Sequence, residues 1–204
     1  MLRPIQRLLP FCLLALASCV TVGDKPAANK ANMGPWIQAS PSLKIEIEES
    51  AKRLPWTHGI ERVELIQWFA QVGEPSYETL LELVKDPRED VACAALAALG
   101  ATRDGRLVDS LRAIPWPEVD NSDLALERAR TLLKLGDWSM LGQLIAGLED
   151  ERVYVRGLCI KALNEATHES FEFDPKGTVE ARAASVQSWD AWWSQRKADP
   201  MRRK

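Results

Sequence analysis

Six side chains of the 204-residue sequence could act as nucleophiles, metal ligands or proton carriers near neutral pH: Cys12, Cys19, Cys93, Cys159, His58 and His168. A thiolate attacks electrophilic carbon or sulfur. An imidazole moves protons or binds metal. Neither use is supported by the spacing. His58 sits in "PWTHGIE", a turn before a helix, and His168 in "ATHESFEF", beyond the last pair of helices, so each is expected as a lone surface histidine. No H-E-x-x-H, C-x-x-C, G-x-S-x-G, EF-hand loop or phosphate-cradling glycine loop occurs. Cys93 is flanked by alanines in "DVACAALAALG", with nothing to lower its pKa. Cys93 and Cys159 are expected as buried free thiols, on helices too far apart for the ~7 Å Cα limit of a disulfide. "EIEES" and "LED" fit solvated helix faces. No catalytic residue, cofactor or metal site is expected.

Cys19 is the exception. Arg3 and Arg7 precede "LLPFCLLALA" (8–17), an apolar run too short to span a bilayer. "LASC", Leu16 to Cys19, follows at once. This resembles the lipobox of bacterial lipoproteins, in which small residues admit the backbone to the signal peptidase and the cysteine thiol carries diacylglycerol. The resemblance implies a signal peptide over 1–18 and membrane attachment through acyl chains on Cys19. Each buried CH₂ contributes about 0.8 kcal/mol, so several chains anchor stably. Ordinary cleavage after Ala15-Leu16-Ala17 is the competing outcome. Phe11 is too bulky for Cys12 to compete. Val20 stands where the family often carries an inner-membrane retention Asp, which implies an outer-membrane location facing the periplasm.

Residues 19–40 are small and polar, with Gly, Pro, Ala and Asn, and are expected as a tether. Such a segment averages about 25 Å end to end. Trp36 within it is a candidate to dock back on the body. The chain carries 26 Lys and Arg against 29 Asp and Glu, which offers no case for nucleic acid. Arg196, Lys197, Arg202, Arg203 and Lys204 make a basic end, with 198–204 as a solvated tail or a weak contact for anionic lipid.

From Ser40 onward every segment has helical period or turn chemistry. Ser40 and Pro41 start a helix whose Leu43, Ile47, Ala51 and Leu54 share a face. The next carries Val63, Ile66 and Ala70 on one row and Leu65, Phe69 and Val72 on the adjoining one, and Gly73 stops it. Tyr77, Leu80, Leu81 and Val84 face inward on a short third helix. For the fourth, Asp86 is expected to cap, Pro87 to begin, Glu89 to complete a capping box and Gly100 to terminate. Short amphipathic helices continue to "DERVYVRGLCIKALNEA", interrupted by a Pro-Trp-Pro loop at 115–117.

Two of these segments repeat. Asp86, Val91, Leu96 and Leu99 of "DPREDVACAALAALG" correspond to Asp150, Val155, Ile160 and Leu163 of "DERVYVRGLCIKALN" at a constant offset of 64 residues. Both resemble the second-helix signature of bacterial HEAT-like repeats: an Asp opening the helix, a Val, often an Arg after it, then Ala and Leu on the buried face. Arg156 fits the Arg position, but Ala92 stands in its place in the other unit, so the Asp–Arg ladder of the family is incomplete. The resemblance covers about residues 41–166. It implies an all-α fold, an α-α superhelix of short hairpins of the HEAT/armadillo kind. One hairpin cannot bury its apolar face alone, whereas several stacked can.

The chain then enters "FEFDPKGTVEARAASVQSWDAWW" (171–193). Ala183, Val186, Trp189 and Trp193 fall on one helical face behind a Thr178 cap. Residues 167–197 are therefore expected as an aromatic loop and a capping helix, with Phe171 and Phe173 beneath it. The F-x-x-DP loop and W-x-x-WW helix are similar to those of other HEAT-like bacterial proteins. Of eight tryptophans, Trp56, Trp138 and Trp192 are the candidates for partner contact; rings that plug gaps between units are the alternative. The expected function is a membrane-anchored interaction scaffold that binds an unidentified envelope protein and has no catalytic activity. An enzyme or enzyme subunit with a site dispersed over the groove is the alternative.

Overall fold

Ser40 caps the first helix as its sequence requires, its hydroxyl accepting the Leu43 N–H at 3.3 Å. From there the computed structural model describes residues 36–116 and 123–198. Residues 1–18, Cys19, the tether up to 35, Pro117 and the tail from 199 lie outside the described residues. The described residues form nine α-helices and no strand: α1 (Pro41–Arg53), α2 (Gly59–Val72), α3 (Tyr77–Leu83), α4 (Glu89–Thr102), α5 (Leu107–Ala113), α6 (Asp123–Lys134), α7 (Leu141–Ala146), α8 (Val153–Thr167) and α9 (Val179–Ala198). The all-α expectation holds for them. Gly73 and Gly136, at φ 67° and 92°, end α2 and α6 in conformations that cost glycine little.

The start of α4 differs from the capping box read in the sequence. Asp86 accepts the backbone N–H of Arg88 at 2.9 Å and clasps the Arg88 guanidinium, so Pro87 stays outside the helix. Glu89 turns outward and accepts the N–H of Leu124 at 2.8 Å. Asp150 holds Arg152 in the same way before α8, and Asp104 holds Arg106 before α5. The D-x-R signature of these turns was open to sequence inspection: the aspartate satisfies one backbone donor and one guanidinium together. Gly100 also differs. It lies inside α4, where an added Cβ would sit 3.2 Å from the Thr131 hydroxyl. The Thr131 hydroxyl in turn donates to the Leu96 carbonyl at 2.9 Å. Glycine is needed there for close approach of α6, and α4 runs on to Thr102.

The even-numbered helices pack in sequence order, α2 on α4, α4 on α6, α6 on α8. Beside them α1 packs on α3, and α7 on α9. Buried Ala92, Ala94, Ala95 and Ala98 let α4 approach both neighbours. The buried apolar residues form two clusters that share α6 as their wall. Leu132 and Leu135 belong to the first, with Phe69, Leu80, Leu96, Leu99 and Leu111. Leu126, Ala129 and Leu133 belong to the second, with Leu144, Leu163, Phe173, Trp189 and Trp193. On α2 the core row is Leu65 and Phe69, while Val63 is exposed. Residues equivalent by the offset of 64 occupy equivalent places: Val91 and Val155, Leu96 and Ile160, Leu99 and Leu163 are all buried.

Trp36 does dock. Its ring meets Tyr77 edge-on at 5.0 Å, the Arg106 guanidinium lies 5.6 Å over it, and the next N–H, of Ile37, donates to Glu74 at 3.2 Å. Arg106 also pairs with Glu74 at 3.0 Å, so the entering chain is clasped where it meets α1.

Candidate functional site

Residues three and four apart share one side of a helix. One such row from each of α2, α4, α6 and α8 opens onto a single groove of about 600 Å³. Helix α2 supplies Arg62 and Ile66; α4 supplies Glu89, Asp90, Cys93, Ala94 and Ala97. Helix α6 supplies Asp123, Leu126, Glu127 and Arg130; α8 supplies Tyr154, Val155, Leu158 and Cys159. The first turns of neighbouring helices are bonded to each other, which aligns their starts along one edge. Arg62 pairs with Asp90 at 2.9 Å. Glu89 takes the Leu124 N–H, and Asp123 pairs with Arg152 at 2.7 Å and accepts from the Tyr154 hydroxyl at 3.3 Å.

The groove is apolar in its floor and acidic in balance. Four carboxylates face two guanidinium groups, and both arginines are already paired, Arg62 with Asp90 and Arg130 with Glu127. Burial pushes the Glu127 carboxyl above its ordinary range, against the pull of Arg130 and Lys134. Among the described residues, Arg62 Nε and Nη2 and Arg130 Nε are buried without an acceptor.

Cys93 lines this groove half-exposed, and Cys159 is fully buried beneath it; both thiols are free. Helix α6 stands between the helices that carry them. Burial and then the charges of Glu127, Glu89, Asp123 and Asp90 push the Cys93 thiol up to about 12. Burial does the same to Cys159. Carboxylates therefore do surround Cys93, but they hold it as a thiol and do not activate it. Alkylation of Cys93 by iodoacetamide at pH 7.5, followed peptide by peptide by mass spectrometry, is expected to run about thirtyfold slower than that of an ordinary exposed thiol, since the scarcer thiolate is partly offset by its greater nucleophilicity. Rapid labelling would mark an activated nucleophile and favour an enzyme. His58 and His168 are exposed and neither lines the groove. His168 closes α8 in the left-handed region, φ 60°. Among the described residues no cluster of His, Cys, Asp and Glu could hold a metal ion, and no helix is long and apolar enough to cross a membrane.

The tryptophans singled out from the sequence part company. Trp56 is 79% exposed, four residues before an equally exposed Ile60, and borders a shallow depression with Pro55, Leu83 and Arg88. Trp138 and Trp192 are brought together, ring centroids 6.2 Å apart, under the Arg196 guanidinium. Both are half-buried over the second core, as gap-filling rings are. Trp116 fills a gap too, its indole N–H donating to the Leu111 carbonyl at 2.9 Å with Arg128 4.5 Å over its ring. None of the three candidate tryptophans lies in the groove. The groove was missed in the sequence because each helix contributes only a short row, and no single row is unusual. The one signal was the acidic row on alanine-rich α4, Glu89, Asp90 and Cys93, where alanine packing alone called for no charge. In comparisons with known proteins, the chain matches no family model and no curated protein sequence.

Proposed function

We propose that the chain is a bacterial lipoprotein, held in the outer membrane facing the periplasm by acyl chains on Cys19, whose folded body is a HEAT-like α-α superhelix that binds another envelope protein. The observation that carries this reading is the groove shared by α2, α4, α6 and α8. Helices that succeed one another in register leave such a continuous surface when hairpins stack. The serial packing of even-numbered helices, the second row formed by α1 with α3 and α7 with α9, and the matched burial at an offset of 64 residues all favour a superhelix. Helix α9, with Val186, Trp189 and Trp193 turned onto the last core, is then its capping element. The protonated Cys93 thiol favours a binding role over catalysis.

Two experiments separate the parts of this proposal. Expression of Cys19→Ala followed by membrane fractionation is expected to release the chain from the membrane; unchanged tight association would sink the anchor. A photo-crosslinking residue placed in turn at Tyr154, on the groove, and at Trp56, away from it, is expected to capture one discrete partner from Tyr154. Recovery of uncrosslinked monomer from both positions would sink the scaffold.

A further inference from the structure

We infer that the groove accepts an extended polypeptide segment in which apolar residues flank a lysine or arginine. This rests on the proposed protein-binding role and names the chemistry of the partner. The floor, with Ile66, Leu126 and Leu158, offers apolar contact, and Leu158 is 40% exposed among the described residues. The wall carries one carboxylate more than the cations that engage it. Arg62, Arg130 and Arg152 are engaged by Asp90, Glu127 and Asp123, and among the described residues Glu89 is met by a backbone N–H rather than by a cation. An anionic occupant would meet this surplus unfavourably, whereas a cationic side chain would complement it.

The arginines argue for an extended backbone. Arg62 Nε and Nη2 and Arg130 Nε lack acceptors among the described residues, and a buried unpartnered donor costs free energy. Modest turns about these long side chains would present the donors to the groove. A helix has already committed its carbonyls to its own ladder, but an extended strand keeps them free. Four helices at spacings of 8–10 Å set a span of about 27 Å, which an extended chain crosses in about eight residues.

The test uses the full chain in detergent micelles and fluorescent nonapeptide pools, apolar at the flanks and fixed as Lys, Gln or Glu at the centre. Fluorescence anisotropy is expected to show the Lys pool binding about tenfold tighter than the Gln pool and tighter again than the Glu pool. Glu89→Gln and Leu158→Ser, both at surface positions compatible with folding, are each expected to weaken the Lys pool about tenfold. A helix-stapled Lys peptide is expected to bind no better than its linear form. Absence of binding, equal binding of all three pools, indifference to both substitutions, or preference for the stapled peptide would each overturn the inference. Capture of a partner from Tyr154 alongside any of those results would leave the scaffold standing and this inference refuted.

Discussion

Replacing Trp189 by alanine is expected to lower the melting temperature of the full chain by roughly 6–20 °C, read by circular dichroism. Trp189 is 0% exposed and is the largest fully buried side chain of the molecule's described residues. Phe171 meets it edge-on at 4.8 Å and Trp192 at 5.6 Å. Truncating a buried tryptophan costs about 3–5 kcal/mol, because the lost apolar contact is joined by a cavity that the surroundings fill only in part. In a domain of this size each kcal/mol moves the midpoint by about 2–4 °C. The indole N–H of Trp189 has no acceptor among the described residues. Trp189→Phe removes that unpartnered donor while keeping most of the ring, so its loss should be well under that of alanine. Trp56→Ala serves as the control and should stay within about 0.5 kcal/mol of the parent. A Trp189→Ala chain that melts with the parent would show that α9 does not close the second core, and the capping role would go with it.

The helices were legible because single-helix patterns suffice for them. Ser40 and Pro41 begin α1, Gly73 ends α2, and Val186, Trp189 and Trp193 form the buried stripe of α9, with Ala183 of the predicted face only half-buried. Thr178 also caps as expected, its hydroxyl accepting the Ala181 N–H at 3.3 Å. What stayed hidden depends on residues distant in the chain. Gly100 reads as a stop until Thr131 is seen against it. Glu89 reads as half of a capping box until the unpaired N–H of Leu124, 35 residues later, recruits it. The groove is the extreme case, since Arg62 and Cys159 have no sequence relation and come to line one groove only through the packing of four helices. Cys93 and Cys159 illustrate the limit: apolar neighbours predicted burial for both, and the tertiary arrangement buried Cys159 but left Cys93 partly exposed.

Arg156→Ala is the second substitution expected to act strongly, with a loss of roughly 3 kcal/mol and a fall of about 6–12 °C in the midpoint. Arg156 is 5% exposed, yet among the described residues its fork is met by backbone carbonyls rather than by a carboxylate. Its Nε and Nη2 donate to the Pro175 carbonyl at 2.9 and 2.6 Å, and its Nη1 to the carbonyls of Asp150 and Glu151 at 2.7 and 2.9 Å. One guanidinium thus ties the entry of α8 to the loop that delivers α9. Ala92 takes the equivalent place on α4, fully buried between helices. That departure from the repeat pattern has a physical reason, because at α4 the position packs against neighbours, whereas at α8 the Pro175 carbonyl needs a donor. Hydrogen bonds to a charged donor contribute about 1.5–3 kcal/mol each, but carbonyls near the surface recover part of this from water, so the sum is well below four full bonds. Arg156→Lys should recover only a minor part, since a point charge cannot serve both carbonyl groups at once as the planar fork does. Arg156→Met keeps the packing and removes the donors; if it matched the parent, the hydrogen bonds would carry no stability. Limited proteolysis should speed up at 174–177 in the alanine chain. Trp189 and Arg156 fasten the same terminal element to α7 and α8. Their double variant should therefore lose less than the two single losses added together, because once either fastening is gone the other holds less. Strict additivity would mean that the loop and α9 are secured independently.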